Sequence, residues 1–138
     1  MASPLVLVVD DEPDLVELVT LTLSRMQLAT LSAGDVAGAK RLLKTQQFDL
    51  CLTDMRLPDG DGLDLLEWMT LNCPGVPCAV ITAHGNVESA VRALKLGAFD
   101  FVSKPLRLQY PAFEFLRKRL FRVRPREDLA RLHVQAHS

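Results

Sequence analysis

An α/β domain built on a parallel sheet is the fold class this sequence predicts, and three observations lead there. Apolar runs such as Leu5-Val6-Leu7-Val8-Val9 and Leu50-Cys51-Leu52-Thr53 show no polar alternation, the pattern of strands buried on both faces. Apolar residues three and four apart follow each run, the period of one helix face. The two patterns alternate five times along the chain. Strands alternating with helices argue for right-handed βαβ units, which place helices on both faces of the sheet.

The first strand is expected at about Leu5–Val9. The first helix starts near Pro13, a residue suited to a first helical turn, with Asp11, Glu12 and Asp14 favouring its positive end. Val16, Val19, Leu23 and Met26 then mark one helix face. A short strand follows near Leu28–Ser32. Asp35 is an N-cap for a second helix whose buried side carries Val36, Ala39 and Leu43. The third strand is Asp49–Thr53, and Pro58-Asp59-Gly60-Asp61-Gly62 is a dense turn signal. A third helix carries Leu65, Leu66 and Met69 and stops before Pro74. The fourth strand is about Pro77–Ile81. Val87, Ala90, Val91 and Leu94 mark the fourth helix, with Gly97 at its C-terminal cap. The fifth strand is about Phe99–Val102. The fifth helix begins near Tyr110 or Pro111, with Phe113, Leu116, Leu120 and Val123 on one face.

At 138 residues the chain is expected to form one domain with one core. Asp10, Asp11 and Glu12 interrupt the only early apolar run, so no signal peptide is expected. No apolar stretch has the length of a bilayer span. Cys51, Cys73 and Cys78 form no C-x-x-C pair, and Cys51 and Cys78 fall inside apolar runs. They read as buried free thiols, which fits a reduced cytoplasmic setting. The net charge of −1 hides an asymmetry, −6 over residues 1–105 and +5 over residues 106–138. The basic segment is first of all a solvated helix face, since a charge run specifies little by itself.

The strand ends carry the chemistry. The first strand ends at Asp10 and Asp11, the third at Asp54, the fourth at Thr82, and the fifth leads into Ser103-Lys104-Pro105. In parallel sheets the ligand crevice lies outside the carboxyl ends of the strands. Three carboxylates would then share one rim, and like charges raise one another's pKa unless a cation intervenes. A hard divalent ion with oxygen ligands resolves this, and Mg²⁺ is the usual choice beside phosphate. Lys104 and the ion would neutralise a phosphoryl group, and Thr82 would donate a hydrogen bond to it. A carboxylate can also be the nucleophile. Asp54 is the best candidate, with Asp10 and Asp11 better placed as metal ligands.

Taken together, Val9-Asp10-Asp11-Glu12-Pro13, Thr53 to Gly62, Ile81-Thr82-Ala83, Gly97 to Phe101 and Lys104-Pro105 resemble the receiver domain of two-component response regulators. The resemblance covers residues 3–122 and leaves residues 123–138 as a basic tail or linker remnant. It implies a flavodoxin-like, doubly wound five-stranded sheet of order 2-1-3-4-5. It further implies that Asp54 is phosphorylated by a histidine kinase. Mg²⁺ would be held by Asp10, Asp11, Asp54 and the main-chain carbonyl of Arg56. Lys104 would contact the phosphoryl group, with a cis bond to Pro105, and Thr82 and Phe101 would be the switch pair. Arg56 and His84 would flank the pocket and tune the access of water. The segment from Cys51 to Gly60 is similar to the NtrC group of sigma-54-dependent activators, and within it to the type IV pilus regulators.

Such activators continue into an ATPase and a DNA-binding domain, but this chain has no G-x-x-x-x-G-K-[ST] loop. It is expected to be a receiver fragment, a truncated product or a stand-alone receiver, and Arg107 to Pro111 depart from the family pattern. The expected function is a cytoplasmic signalling switch that catalyses only its own phosphorylation and dephosphorylation. A homodimer through the face of the fourth helix, fifth strand and fifth helix is expected, with no nucleic acid bound by the receiver and no membrane. Two other readings stand beside it: an unphosphorylated interaction module, and a Mg²⁺-dependent phosphohydrolase. Against the hydrolase, Arg56 stands where a second acid would be needed.

Overall fold

β1 (Leu5–Val9) is apolar at every position because both of its faces are covered. Val6, Leu7, Val8 and Val9 are all buried. Leu7 and Val9 face one side of the sheet with α2 (Val36–Thr45), α3 (Gly62–Asn72) and Ala93 of α4 (Val87–Lys95). Val6 and Val8 face the other, with Val19 and Leu23 of α1 (Pro13–Arg25). The core is therefore two layers separated by the sheet, filled by alternate residues of the same strands. The structure, a computed structural model, describes residues 4–83 and 85–103.

Five parallel strands form the sheet in the order β2-β1-β3-β6-β7, with β2 at Ala29–Ala33, β3 at Leu50–Asp54, β6 at Cys78–Thr82 and β7 at Asp100–Ser103. This is the expected order 2-1-3-4-5, once a small hairpin inserted in the chain is set aside. β1 and β3 are central neighbours, so their carboxyl ends lie side by side. The first strand has the expected bounds, whereas the other four begin and end one residue later than the sequence pattern indicated. Asp54 pairs with Ile81, and Thr82 with Ser103. A polar side chain ends the apolar run, but its backbone still joins the ladder.

The helices begin as their sequences direct. Pro13 opens α1, with Asp14 in its first turn and Arg25 in its last, matching the helix dipole. The Asp35 side chain accepts a hydrogen bond from Gly38 N at 2.7 Å and caps α2. Asn86 and Ser89 form a reciprocal capping box at the start of α4. Gly97, with φ of 110°, follows that helix in the left-handed conformation that glycine tolerates.

Two features differ from the sequence reading. The turn signal at Pro58 to Gly62 is a miniature hairpin, in which β4 (Arg56–Leu57) pairs antiparallel with β5 (Gly60–Asp61). Two-residue strands are too short for any periodicity to reveal. The apolar stripe marking α4 also largely faces solvent: Val87 is 81% exposed, Val91 43% and Leu94 52%, and only Ala93 is fully buried. Cys51 and Cys78 are buried and Cys73 half-buried, all three as free thiols. The side-chain hydrogen bond with the adjoining Cys78 thiol, and then burial, push the Cys51 thiol well above its usual range. Trp68 is half-buried, with the Lys40 and Lys44 ammonium groups 5.5 and 5.9 Å from its ring centre. The expected fifth helix, and the tail at 123–138, lie outside the described residues.

Candidate functional site

The carboxyl ends of β1 and β3 deliver two buried carboxylates to one place. Asp10, only 5% exposed, continues β1 by donating its N–H to Ala33 O at 3.0 Å. Its Oδ1 accepts the N–H of Glu12 at 2.9 Å, turning the chain sharply into α1. Asp54, 6% exposed, is the last residue of β3, and its Oδ1 accepts the N–H of Met55 at 2.7 Å. That bond fixes the rotation of the carboxylate.

A third carboxylate joins them. Oxygens of Asp10, Glu12 and Asp54 all lie within 4.8 Å of one another. Glu12, assigned from the sequence only to the helix dipole, supplies the third oxygen of this group beside the expected Asp10 and Asp54. Asp11, like Glu12, is exposed, and it borders a shallow groove together with Asp10, Glu17, Ser32 and Asp35. The turn held by Asp10 Oδ1 places Glu12 beside the same rim. The only trace of this in the sequence is a third consecutive acid, and no spacing rule distinguishes it from a helix-dipole residue.

The remaining groups are arranged around this trio. Thr82 ends β6 with no exposed surface, one step beyond Ile81, the residue paired with Asp54. Phe101 lies on β7 opposite Val80 and is half-buried. Gly85 sits against both: a Cβ there would come within 2.6 Å of the Phe101 ring and 3.0 Å of Thr82 Cγ2. Arg56 is exposed on β4, two residues after Asp54. His84, Lys104 and Pro105 lie outside the described residues.

The next loop is built by close backbone contacts. Gly62 N donates to Met55 O at 2.7 Å, and the Asp61 carboxylate accepts from Leu63 N at 2.8 Å to cap α3. At the hairpin tip, Asp59 accepts from Val36 N at 2.7 Å and Ala37 N at 3.0 Å, the first two residues of α2. Those two bonds, Val36 first, hold the Asp59 carboxyl below its ordinary value of 3.8.

The donor set suits a hard cation. All three candidate ligands are carboxylate oxygens, with no thiol or imidazole among them, which favours Mg²⁺ or Ca²⁺ over softer metals. Their spread suits an ion that keeps several waters, as Mg²⁺ does. Buried carboxylates that would hold a cation, at the ligand-binding edge of a doubly wound sheet, are the arrangement that phosphoryl transfer to a carboxylate uses.

The response regulator receiver domain family matches residues 6–110 of the sequence. This chain belongs to that family. Among characterised relatives, the response regulator protein PilR of Pseudomonas aeruginosa is 54% identical over 108 residues, a match covering 78% of this chain and 24% of PilR. The receiver thus spans about a quarter of that relative's length. The beryllofluoride-activated NtrC4 receiver domain dimer superposes with a TM-score of 0.79 at 32% identity, covering 86% of this chain and 96% of that one. The receiver domain of NtrX from Brucella abortus gives 0.77 at 33% identity, covering 86% and 98%. The receiver is therefore related to regulators of the NtrC group. No helix among the described residues is long and apolar enough to cross a membrane.

Proposed function

We propose that this receiver is a phosphoacceptor switch in which Asp54 takes a phosphoryl group from a sensor histidine kinase. The observation that carries this reading is the buried Asp54 carboxylate grouped with two others within 4.8 Å. An Asp54 carboxylate oxygen attacks phosphorus as the bond to the donor imidazole nitrogen breaks, leaving an acyl phosphate on the protein. Asp10, Asp11 and Asp54, with the Arg56 main-chain carbonyl, hold Mg²⁺, and Glu12 is a further carboxylate already within reach. The ion supplies neutralisation of the charge on the phosphoryl oxygens. Thr82 and Lys104 bind those oxygens, and Phe101 follows the movement of Thr82. Arg56 and His84 control the entry of water and so the lifetime of the acyl phosphate. The protein turns over nothing beyond its own phosphoryl group.

Phosphorylation replaces the single negative charge of the Asp54 carboxylate with the nearly two of a phosphoryl group, a net gain of about one beside Asp10. That is enough to bias a balanced equilibrium toward a new surface on α4 and β7. The solvent-facing stripe of Val87, Val91 and Leu94 supports a homodimer through this face, and the NtrC4 relative is itself a receiver dimer. Relatedness to the NtrC group supports control of sigma-54-dependent transcription from the cytoplasm, with DNA contacts made outside the receiver.

Incubation with acetyl phosphate and Mg²⁺, followed by intact mass measurement, tests the proposal. One phosphoryl adduct is expected, absent in Asp54→Ala and absent with excess chelator. Turnover of a phosphomonoester would instead indicate a hydrolase, and no adduct under any condition would leave an interaction module.

A further inference from the structure

We infer that Asp59 is a positioning residue that clamps the metal-binding loop to the start of α2 and so sets the Mg²⁺ affinity of the site. The inference rests on the phosphoacceptor reading above and extends it to a residue outside the ligand set.

The loop from Met55 to Asp61 leaves the sheet at Asp54 and returns into α3. Its base is fastened twice, by Met55 N to Asp54 Oδ1 and by Gly62 N to Met55 O. Between these points the chain runs out as the β4–β5 hairpin, with Pro58 and Asp59 at its tip. A two-stranded ribbon of this length has little stability of its own. Its tip is fastened by Asp59, whose two carboxylate oxygens take the N–H groups of Val36 and Ala37 across 23 and 22 residues of chain. The loop is thereby suspended between two fixed bodies, the end of β3 and the start of α2. α2 itself is immobilised on the sheet by Val36, Ala39 and Leu43, all buried. Arg56, whose main-chain carbonyl belongs to the metal site in this reading, lies on β4 between the two fastenings.

Capping α2 is not by itself a sufficient role for Asp59. Asp35 already occupies the N-cap and accepts from Gly38 N. Asp59 adds bonds to the two preceding N–H groups, which water would otherwise satisfy at an exposed helix end. Its distinctive effect is to hold the hairpin. Without it, the tip keeps only close packing such as that of Gly60, where a Cβ would come within 3.3 Å of Val36 Cγ2. Groups that orient a metal ligand from behind typically change metal affinity ten- to a hundredfold when removed.

Asp35 supplies the matched control, because Asp35→Ala removes a cap from the same helix without touching the hairpin. The experiment is calorimetric titration of the 138-residue protein with MgCl₂, comparing wild type, Asp59→Ala, Asp59→Asn and Asp35→Ala, with urea unfolding of each. Asp59→Ala is expected to weaken Mg²⁺ binding about tenfold. Asp59→Asn, which keeps one acceptor oxygen, should fall between it and wild type. Asp35→Ala should bind as wild type does although it is less stable. Wild-type affinity in Asp59→Ala, or an equal loss in Asp35→Ala, overturns the clamp. So does a difference that disappears at about 0.5 M salt, where long-range charge effects are screened. If Asp59→Ala fails to fold, Asp59→Asn decides alone, and unchanged affinity there also overturns the inference. A wild-type protein that binds no Mg²⁺ would overturn the phosphoacceptor reading and the clamp with it. Normal wild-type binding matched by the variants would overturn only the clamp.

Discussion

Replacing Gly62 by alanine puts a methyl group where the chain has no room for one. Gly62 is the first residue of α3, and its N–H is bonded to Met55 O at 2.7 Å. A Cβ built there would overlap the carbonyl oxygen of Asp54, and would stand 3.0 Å from the Asp54 carbonyl carbon and 3.1 Å from Met55 Cα. Carbon atoms pack best at roughly 3.5–4.0 Å, and every atom met is backbone, so no side chain can turn aside. The backbone must separate by about an ångström. Overpacking of this kind costs about 3 kcal/mol at the upper end of its usual range. The stretched Gly62–Met55 bond adds about 1 kcal/mol. Against these, alanine gains at most about 1 kcal/mol over glycine in a helix. The expected net loss is therefore about 3 kcal/mol, or roughly 12 °C in Tm for a domain of this size. Urea unfolding followed by the fluorescence of Trp68, the single tryptophan, measures it. Gly75→Ala is the control, because a Cβ at Gly75 meets nothing within 4 Å; it should change stability by less than about 0.5 kcal/mol. A Gly62→Ala protein within about 1 kcal/mol of wild type would refute an unavoidable backbone clash at this position.

Gly85→Ala is a gentler version of the same test, because the atoms met are the Phe101 ring and Thr82 Cγ2. A ring can yield, so stability should fall by only about 1–2 kcal/mol, while the Phe101 ring resonances shift in NMR spectra. Unshifted resonances would count against the contact. A pH test follows from Asp59, whose carboxyl is held below 3.8 mainly by the Val36 N–H and then by that of Ala37. A depressed folded-state pKa stabilises the protein at pH values above the unfolded one, and that contribution disappears as pH falls through the lowered value. The stability advantage of wild type over Asp59→Asn should therefore be present at neutral pH and shrink as pH falls below 3.8. An equal advantage in urea unfolding at both ends of that range would contradict it.

Much of the architecture is local and was readable. β1 was legible to the residue, since a strand covered on both faces has nowhere to place a polar side chain. Asp35 was legible as a cap because the capping bond spans only three residues. Asp10, Asp54 and Thr82 could be placed at one rim because each ends an apolar run. The strand ends were read one residue short, because side-chain polarity stops the pattern before backbone pairing stops. The exposure of Val87, Val91 and Leu94 was not legible, because a helical period identifies a face without saying what covers it.

By itself the sequence determined the alternation of strands and helices, and the polar residues that close each strand. These follow from backbone periodicity, which each segment expresses alone. Tertiary structure decided which of those groups meet. The Asp10 to Glu12 turn, anchored by Ala33, brings a Glu12 oxygen within reach of Asp54. The fold also carries Asp59 across 23 residues to the start of α2, and presses Gly62 against the Asp54 carbonyl. Such meetings depend on strand register and on the path of the chain after each strand ends. Both are fixed by hydrogen bonds between distant residues, which no local pattern encodes.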